Sequence, residues 1–332
     1  MMPSKVFITG ANGFIGRAVA ERFVRHGIEV RGVDIEADTE RGIVAGDIAD
    51  PDVWRNHTLG CDLVIHCAAI VSMSATWNDY RRVTVQGTRN AIEAASNAGC
   101  RRFVHISSIA AAGWQLPENA DEHWPAWVGD EYRYGVAKAA SEHVVLAAHA
   151  SGEIEAVILR PGDVYGPSAR VWIDLVLAMC REDSLVLPRL GEGMFAPLYI
   201  DDLVDAIELS VTTPEAAGQI FNITGDEWLS AAEFISWHRR WAGRSGPPPV
   251  VTLEDAFSQA VSAYAQTPHG AESGDDLVRL FARTGTLSIE KARLILGYQP
   301  KVTFAQGMAR CEAHLRANGI LSIETAEKAL HD

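Results

Sequence analysis

The sequence predicts a doubly wound α/β fold, in which helices cover both faces of a parallel sheet. Over the first 170 of its 332 residues, short β-branched or apolar runs alternate with amphipathic helical stretches. Glycine or proline stands where these elements should begin or end: Gly27 and Gly99 follow helical stretches, and Pro51 opens one. Regular alternation of this kind favours parallel strands joined by right-handed crossovers.

Six strands and four helices can be assigned in order along this part of the chain. The predicted strands are KVFIT, EVRGVD, GIVAGD, DLVIHCAA, RRFVHISS and EAVILRP. The predicted helices are FIGRAVAERFVRHG, the short PDVWRNHTLG, a long helix from about Asn78 to Asn97, and one from about Tyr134 to Ala150.

The alternation weakens after Pro167, and we therefore predict two units, residues 1–167 and 168–332. Ser230 and Glu233 form a capping box that predicts a helix to about Ala242. TPHGAESGDD is interpreted as an exposed loop and SIEKARLILG as a late helix. The second unit is expected to be a smaller α/β lobe over the carboxyl edge of the sheet, with some chain returning to the sheet.

Composition excludes several classes of function. The net charge is −14 and no basic stripe is present, which argues against nucleic acid as a partner. No run of 18 apolar residues is long enough to span a membrane. Five scattered cysteines without a CxxC pair or a signal peptide predict reduced thiols and a cytoplasmic protein. No HExxH motif or Cys/His cluster predicts a metal site.

A glycine-rich turn joins the first predicted strand to the first helix as Gly10-Ala11-Asn12-Gly13-Phe14-Ile15-Gly16. Glycines let the backbone approach a pyrophosphate, whose charge the helix N-terminus stabilises. Asp34 closes the second strand, where its carboxylate can accept hydrogen bonds from ribose hydroxyls. Because a carboxylate repels a 2′-phosphate and no arginine directly follows, the sequence predicts a Rossmann domain that binds NAD rather than NADP.

Tyr134 and Lys138 are four residues apart, so a helix places both on one face. A nearby ammonium favours the phenolate and lowers the pKa of a tyrosine, which lets it exchange a proton with an alcohol or a ketone. YxxxK alone is common on surface helices. The motif is significant in this sequence because a dinucleotide-binding loop precedes it and because it follows the strand that ends at Ser107-Ser108.

These motifs together resemble the extended short-chain dehydrogenases/reductases, the superfamily of NAD-dependent epimerases and dehydratases. The resemblance runs from residue 5 to about 310 and rests on TGANGFIG, GDI, HCAA, VTVQGT, SSIAAAG, YGVAK, RPGDVYGP, YIDDL and LGYQP. It implies a homodimer, and it implies that Ser108, Tyr134 and Lys138 are catalytic. It also implies that NAD is held by Gly10, Asn12, Gly13, Phe14, Ile15, Gly16, Asp34, Asp47, Ile48, Ala68, Ala69, Tyr134, Lys138, Pro161 and Val164.

Three departures from the family pattern bear on the substrate. Asp163 stands where sugar-nucleotide enzymes usually carry Asn, Thr84 replaces another usual Asn, and 191–198 lacks the arginine that holds a diphosphate. We expect large apolar side chains to form the pocket instead: Trp77, Trp114, Trp124, Trp127, Trp172, Met194 and Phe195.

The pattern therefore favours the 3β-hydroxysteroid and 3-oxoacyl reductase branch. The expected reaction interconverts a secondary alcohol and a ketone on a bulky, largely apolar small molecule. The alternatives are a sugar-nucleotide epimerase or dehydratase that retains its NAD, and a non-catalytic NAD sensor. An intact Ser/Tyr/Lys set argues against the sensor.

Overall fold

A seven-stranded parallel sheet organises the molecule. The computed structural model describes residues 2–72, 75–127, 129, 132–264 and 270–321. The strands of the sheet are β1 (Lys5–Thr9), β2 (Glu29–Asp34), β3 (Ile43–Ala45), β4 (Leu63–His66), β5 (Arg102–Ile106), β6 (Glu155–Pro161) and, from the second half, β10 (Ile220–Ile223). Their spatial order is β10-β6-β5-β4-β1-β2-β3, and all neighbouring pairs are parallel, which confirms the predicted fold class.

Four shorter strands lie outside this sheet. β7 (Asp163–Tyr165) pairs with β9 (Pro197–Tyr199) in parallel, and β8 (Met194–Phe195) pairs with β11 (Leu229–Ser230) antiparallel. The first pair extends the chain just beyond the carboxyl end of β6. It therefore carries Asp163 to the edge of the sheet at which ligands bind in folds of this kind.

Ten α-helices are present in the described part of the chain. They are α1 (Phe14–Arg25), α2 (Trp77–Asp79), α3 (Gly87–Asn97), α4 (Arg133–Ala150), α5 (Val176–Glu182), α6 (Ile200–Thr212), α7 (Ala231–Trp241), α8 (Leu253–Tyr264), α9 (Gly270–Phe281) and α10 (Phe304–Ala317). A π-helical segment, Tyr80–Gln86, joins α2 to α3, so the predicted long helix is continuous. None of the described helices is long and apolar enough to cross a membrane.

Both faces of the sheet are buried, which explains why its strands are nearly unbroken apolar runs. Val6 and Ile8 point to one face, in a core that also contains Leu203 and Ile207 of α6. Phe7 points to the other face, in a core formed with α3 and α4. Because α6 and β10 come from the second half of the chain, that half contributes directly to the sheet, and the division at residue 167 stays a prediction.

One predicted loop is wrong. The segment from Gly270 to Asp276 begins helix α9 rather than an exposed loop, while 267–269 lie outside the described residues. The helix forms because Leu277, Leu280 and Phe281 present an apolar face to the protein. Buried Asp276 also forms an ion pair with Arg133 at the start of α4. Glycine-rich composition suggested a loop, and tertiary packing overrides it.

Candidate active site

A cleft of about 630 Å³ opens at the carboxyl ends of the central strands. This is the crevice between β1 and β4, where the strand order reverses and ligands bind in doubly wound sheets. Most of the predicted site residues line it: Gly10, Gly13, Phe14, Ile15, Gly16, Asp34, Asp47, Ile48, Ala68, Ala69, Ser108, Tyr134, Lys138, Pro161 and Val164. The fold thus brings together segments from seven separate stretches of sequence.

The glycine loop has no room for side chains. Gly10 has a φ of +66°, and a Cβ there would stand 2.9 Å from the Ala68 nitrogen. A Cβ on Gly16 would lie 2.1 Å from the Gly10 carbonyl oxygen. Helix α1 begins after Gly13 with no side-chain cap and no acidic residue in its first turn. Its N-terminal N–H groups therefore remain suited to an anion such as a pyrophosphate.

Asp34 is held at the end of β2 by backbone donors. Its carboxylate accepts hydrogen bonds from the N–H groups of Asn12 at 2.8 Å and Ile35 at 2.7 Å. Among the predicted cofactor residues, Asn12 does not line the cleft. Its side chain donates a hydrogen bond to the Glu36 carbonyl and accepts one from Arg41. Asn12 therefore stabilises the glycine loop without lining the cleft. The sequence analysis did not identify Arg41.

Two further contacts shape the cleft around Asp47 and after β4. Burial alone would raise the pKa of Asp47, but hydrogen bonds from Arg82 and the Ala49 N–H hold it below its ordinary value. Thr84, which replaces the usual Asn, accepts a hydrogen bond from the Ile70 N–H at 3.2 Å. Its hydroxyl therefore positions the chain that follows β4.

Ser108 and Tyr134 both line the cleft, and Ser108 is close enough to influence the pKa of the Tyr134 phenol. Ser108 follows β5, and Tyr134 lies in the first turn of α4. Burial raises the pKa of Tyr134 to about 12, whereas the nearby Ser108 hydroxyl acts in the opposite direction. The expected lowering of this pKa by Lys138 is not found in the protein chain alone: desolvation is the largest influence, and Lys138 is not among the groups that shift the phenol.

Lys138 is buried in the second turn of α4. Its ammonium group donates to the Ile106 carbonyl at 2.9 Å. Burial lowers its pKa to about 8, against the opposing influence of Cys67 and Glu142. Glu142, one turn further on, accepts hydrogen bonds from Ser107 and from Arg160. This buried network fixes α4 against the ends of β5 and β6.

A buried ion pair that the sequence did not predict lies in the cleft. Asp163 and Arg283 both line it, with side chains only 5% and 3% exposed, and their charged groups are 2.5 Å apart. The segment 191–198 contains no arginine, as noted from the sequence, but Arg283 from the segment after α9 supplies a cation to the cleft. A buried carboxylate in the segment RPGDVYGP requires a hydrogen-bond or charge partner. No local sequence pattern identified Arg283 as that partner.

The predicted aromatic lining of the pocket is largely wrong. Of the seven side chains expected there, only Trp172 lines the cleft. The others pack against protein: Met194 and Phe195 are buried in the cores, and Trp124 donates to the Ala112 carbonyl. Trp172 makes edge contacts with Phe195 at 4.9 Å. Aromatic rings in a second lobe bury more area against one another than against a ligand.

Fold and cleft together define a dinucleotide-dependent α/β enzyme class, and comparisons with known proteins agree. The model of the NAD dependent epimerase/dehydratase family matches residues 6–224. The chain belongs to this family. The extended short-chain resemblance, the NAD cofactor and the enzyme class predicted from sequence are thereby confirmed.

Individual relatives include both reductases and epimerases. A 2-alkyl-3-oxoalkanoate reductase of Shewanella oneidensis is 28% identical, with 94% of this chain and 86% of the relative aligned. A UDP-glucose 4-epimerase of Vibrio cholerae is 25% identical, with 96% and 97% aligned. The solved structure of a Bacillus cereus UDP-glucuronic acid 4-epimerase with NAD has a TM-score of 0.75 at 22% identity, covering 95% of this chain and 99% of that one. This structural likeness supports the fold.

Proposed function

We propose that this protein is an NAD-dependent ketoreductase, which interconverts a ketone and a secondary alcohol on a bulky, largely apolar small molecule. The observation that carries the proposal is that Ser108, Tyr134 and Lys138 line the same cleft as the glycine loop, with Ser108 close enough to lower the pKa of the Tyr134 phenol. A nucleotide loop and a proton-transfer pair in one cleft meet the needs of hydride chemistry.

The residues present fit the dinucleotide. The uncapped N-terminus of α1 and the loop that excludes side chains would hold the pyrophosphate. Asp34 would accept from the ribose hydroxyls, and Asp47 and Ile48 would meet the adenine. Pro161, Val164 and Lys138 would lie around the nicotinamide and its ribose. NAD supplies the hydride donor or acceptor when it is bound.

The proton chemistry of the chain favours reduction. With a pKa near 12, Tyr134 is protonated at neutral pH and can donate its proton to a developing alkoxide. Ser108 would hold the same oxygen by a hydrogen bond. Lys138, with a pKa of about 8, is charged at neutral pH and would stabilise the tyrosinate that remains.

Two observations support an apolar ketone as the substrate. The lining of the cleft also includes the apolar side chains of Trp172 and Leu280. The relative from Shewanella oneidensis is named for 2-alkyl-3-oxoalkanoates, which are 3-oxo carboxylates that carry alkyl chains. In addition, Asp163 already forms an ion pair with Arg283. A diphosphate in this region would contact a cation whose charge is already neutralised and would be repelled by the nearby carboxylate.

The epimerase alternative rests on the Vibrio cholerae relative, and the product distinguishes the two reactions. With a panel of alkyl ketones and 3-oxo acids, we expect one NADH to be consumed for each ketone reduced. The loss of NADH absorbance measures this consumption. Interconversion of UDP-glucose and UDP-galactose without net NADH change, together with no turnover of any ketone, would overturn the proposal.

Two further properties stay predictions from the sequence. A cytoplasmic location is expected from the scattered free cysteines. A homodimer is expected from the family resemblance, and a sedimentation coefficient matching one chain would contradict it.

A further inference from the structure

The Asp163–Arg283 pair is a charged feature of the cleft that neither the proposed cofactor contacts nor the proposed proton chemistry uses. Asp163 lies at the start of β7, directly after the strand that ends at Pro161. Arg283 lies 120 positions later in the sequence, just after α9. Both line the same cleft as Tyr134. The negative charge of Asp163 acts to raise the pKa of the Tyr134 phenol, which places it within electrostatic reach of the reaction site.

Only part of each group is used within the protein. One carboxylate oxygen, Oδ2, accepts from both the Ala196 N–H at 2.9 Å and the Arg283 Nη2. Arg283 Nε donates to the Leu280 carbonyl at 3.0 Å. Among the described residues, Asp163 Oδ1 and Arg283 Nη1 have no hydrogen-bond partner. Neither atom is fully buried, since neither belongs to the buried polar atoms that lack a partner. An acceptor and a donor of the pair therefore remain unused within the described residues, on two side chains that line the cleft.

The chemistry of this pair selects the group that it can bind. The two charges compensate each other in a nearly dry region, so a further net charge there would be uncompensated and costly. A hydroxyl group can accept a hydrogen bond from Arg283 and donate one to Asp163 at the same time. A methyl group would leave both atoms unpaired, and a carboxylate would face Asp163 with a like charge.

We propose that Asp163 and Arg283 form a specificity subsite for an uncharged hydroxyl group on the substrate, distinct from the oxygen that is reduced. The substrate class is then a hydroxylated apolar ketone. This inference rests on the proposed function, because it concerns a second contact of the same ketone. Arg170 also lines the cleft, but it is exposed, so solvent screens its charge.

Three matched sets of probes test the subsite. They are straight-chain decanones that carry a hydroxyl, a methyl or a carboxylate at one carbon, with that carbon varied along the chain. For at least one position we expect the hydroxyl compound to have a kcat/KM about tenfold or more above its methyl analogue, because a site built for hydrogen bonds leaves its polar groups unpaired otherwise. The carboxylate compound should be the poorest of the three.

The variant Asp163→Asn sharpens the test. It keeps an acceptor for the Ala196 N–H but leaves the Arg283 charge uncompensated. We expect the order to invert, with the carboxylate probe preferred over the hydroxyl probe. Asp183→Asn is the matched control, because Asp183 pairs with Arg239 outside the cleft. It should leave the ratio between probes unchanged.

The outcomes separate the two proposals. If the wild-type enzyme reduces ketones but treats hydroxyl and methyl probes alike, or prefers the carboxylate, the subsite is wrong and the ketoreductase stands. If Asp163→Asn lowers all three rates equally, the pair has only a structural role, and the subsite is again wrong. If no ketone of any set is reduced, the proposed function fails, and the subsite fails with it.

Discussion

Lys138 donates its ammonium proton to the carbonyl oxygen of Ile106, at 2.9 Å, from a position with only 3% exposure. The contact ties α4 to the end of β5, next to Ser108. One hydrogen bond does not replace full hydration of an ammonium group, which is why burial lowers the pKa of Lys138 to about 8. This relationship connects the stability of the protein to pH.

The first prediction concerns that connection. Between pH 8 and pH 10.5 the unfolded chain keeps a proton on Lys138 that the folded chain has released, so the folded state gains stability as the pH rises. Relative to Lys138→Met, the wild-type free energy of unfolding should increase by about 3 kcal/mol across this window. Urea unfolding at several pH values measures it. In a control, Lys301→Met, no such increase is expected, because the Lys301 side chain is 71% exposed. A difference that is flat with pH would contradict the prediction.

The second prediction concerns the proton donor. Tyr134→Phe removes the hydroxyl that Ser108 contacts, and kcat should fall by about a hundredfold to ten-thousandfold. NAD affinity should change little, since the ring remains. Tyr298→Phe is the control, because that buried hydroxyl donates to the Thr224 carbonyl outside the cleft. Steady-state kinetics with the best ketone of the panel decide the matter, and retained turnover in Tyr134→Phe would rule out the assigned mechanism.

Asp34 should determine the choice between the two nicotinamide cofactors. Replacing it with Ser removes charged acceptors for the ribose hydroxyls, so NADH affinity should fall by about tenfold to a hundredfold. The ratio of NADPH to NADH use should rise, because the repulsion of a 2′-phosphate is lost. Fluorescence titration of both cofactors measures the change, with Asp52→Ser, an exposed residue paired with Arg55, as the control. An unchanged cofactor ratio would show that Asp34 does not contact the ribose.

Gly16 should tolerate no side chain. The added Cβ of Gly16→Ala would lie 2.1 Å from a backbone oxygen, which cannot rotate away, so the loop must move. We expect a destabilisation of about 1 to 3 kcal/mol and a clear loss of NADH affinity. The exposed neighbour, Arg17→Ala, should do neither. Unfolding and cofactor titrations on both variants test this, and normal NADH affinity in Gly16→Ala would place the pyrophosphate elsewhere.

Much of the fold was predictable because its signals are local. A strand followed by Gly10, Gly13 and Gly16 and then an amphipathic helix has few structural solutions, and the four-residue spacing of Tyr134 and Lys138 already places them on one helical face. The same locality explains the error at 270–276: glycine and aspartate favour a loop locally, whereas packing of Leu277 and Leu280 required the rest of the protein.

The sequence by itself determined the parallel α/β architecture, the cofactor class and the segments that form the cleft, because each depends on neighbours within a few residues. Only the tertiary structure decided the character of the substrate end. It packs most of the predicted aromatic lining into the protein and brings Arg283 against Asp163 across 120 positions of sequence. The physical reason is that the charge of a buried site depends on which distant groups desolvate together, and no periodicity along the chain records that contact.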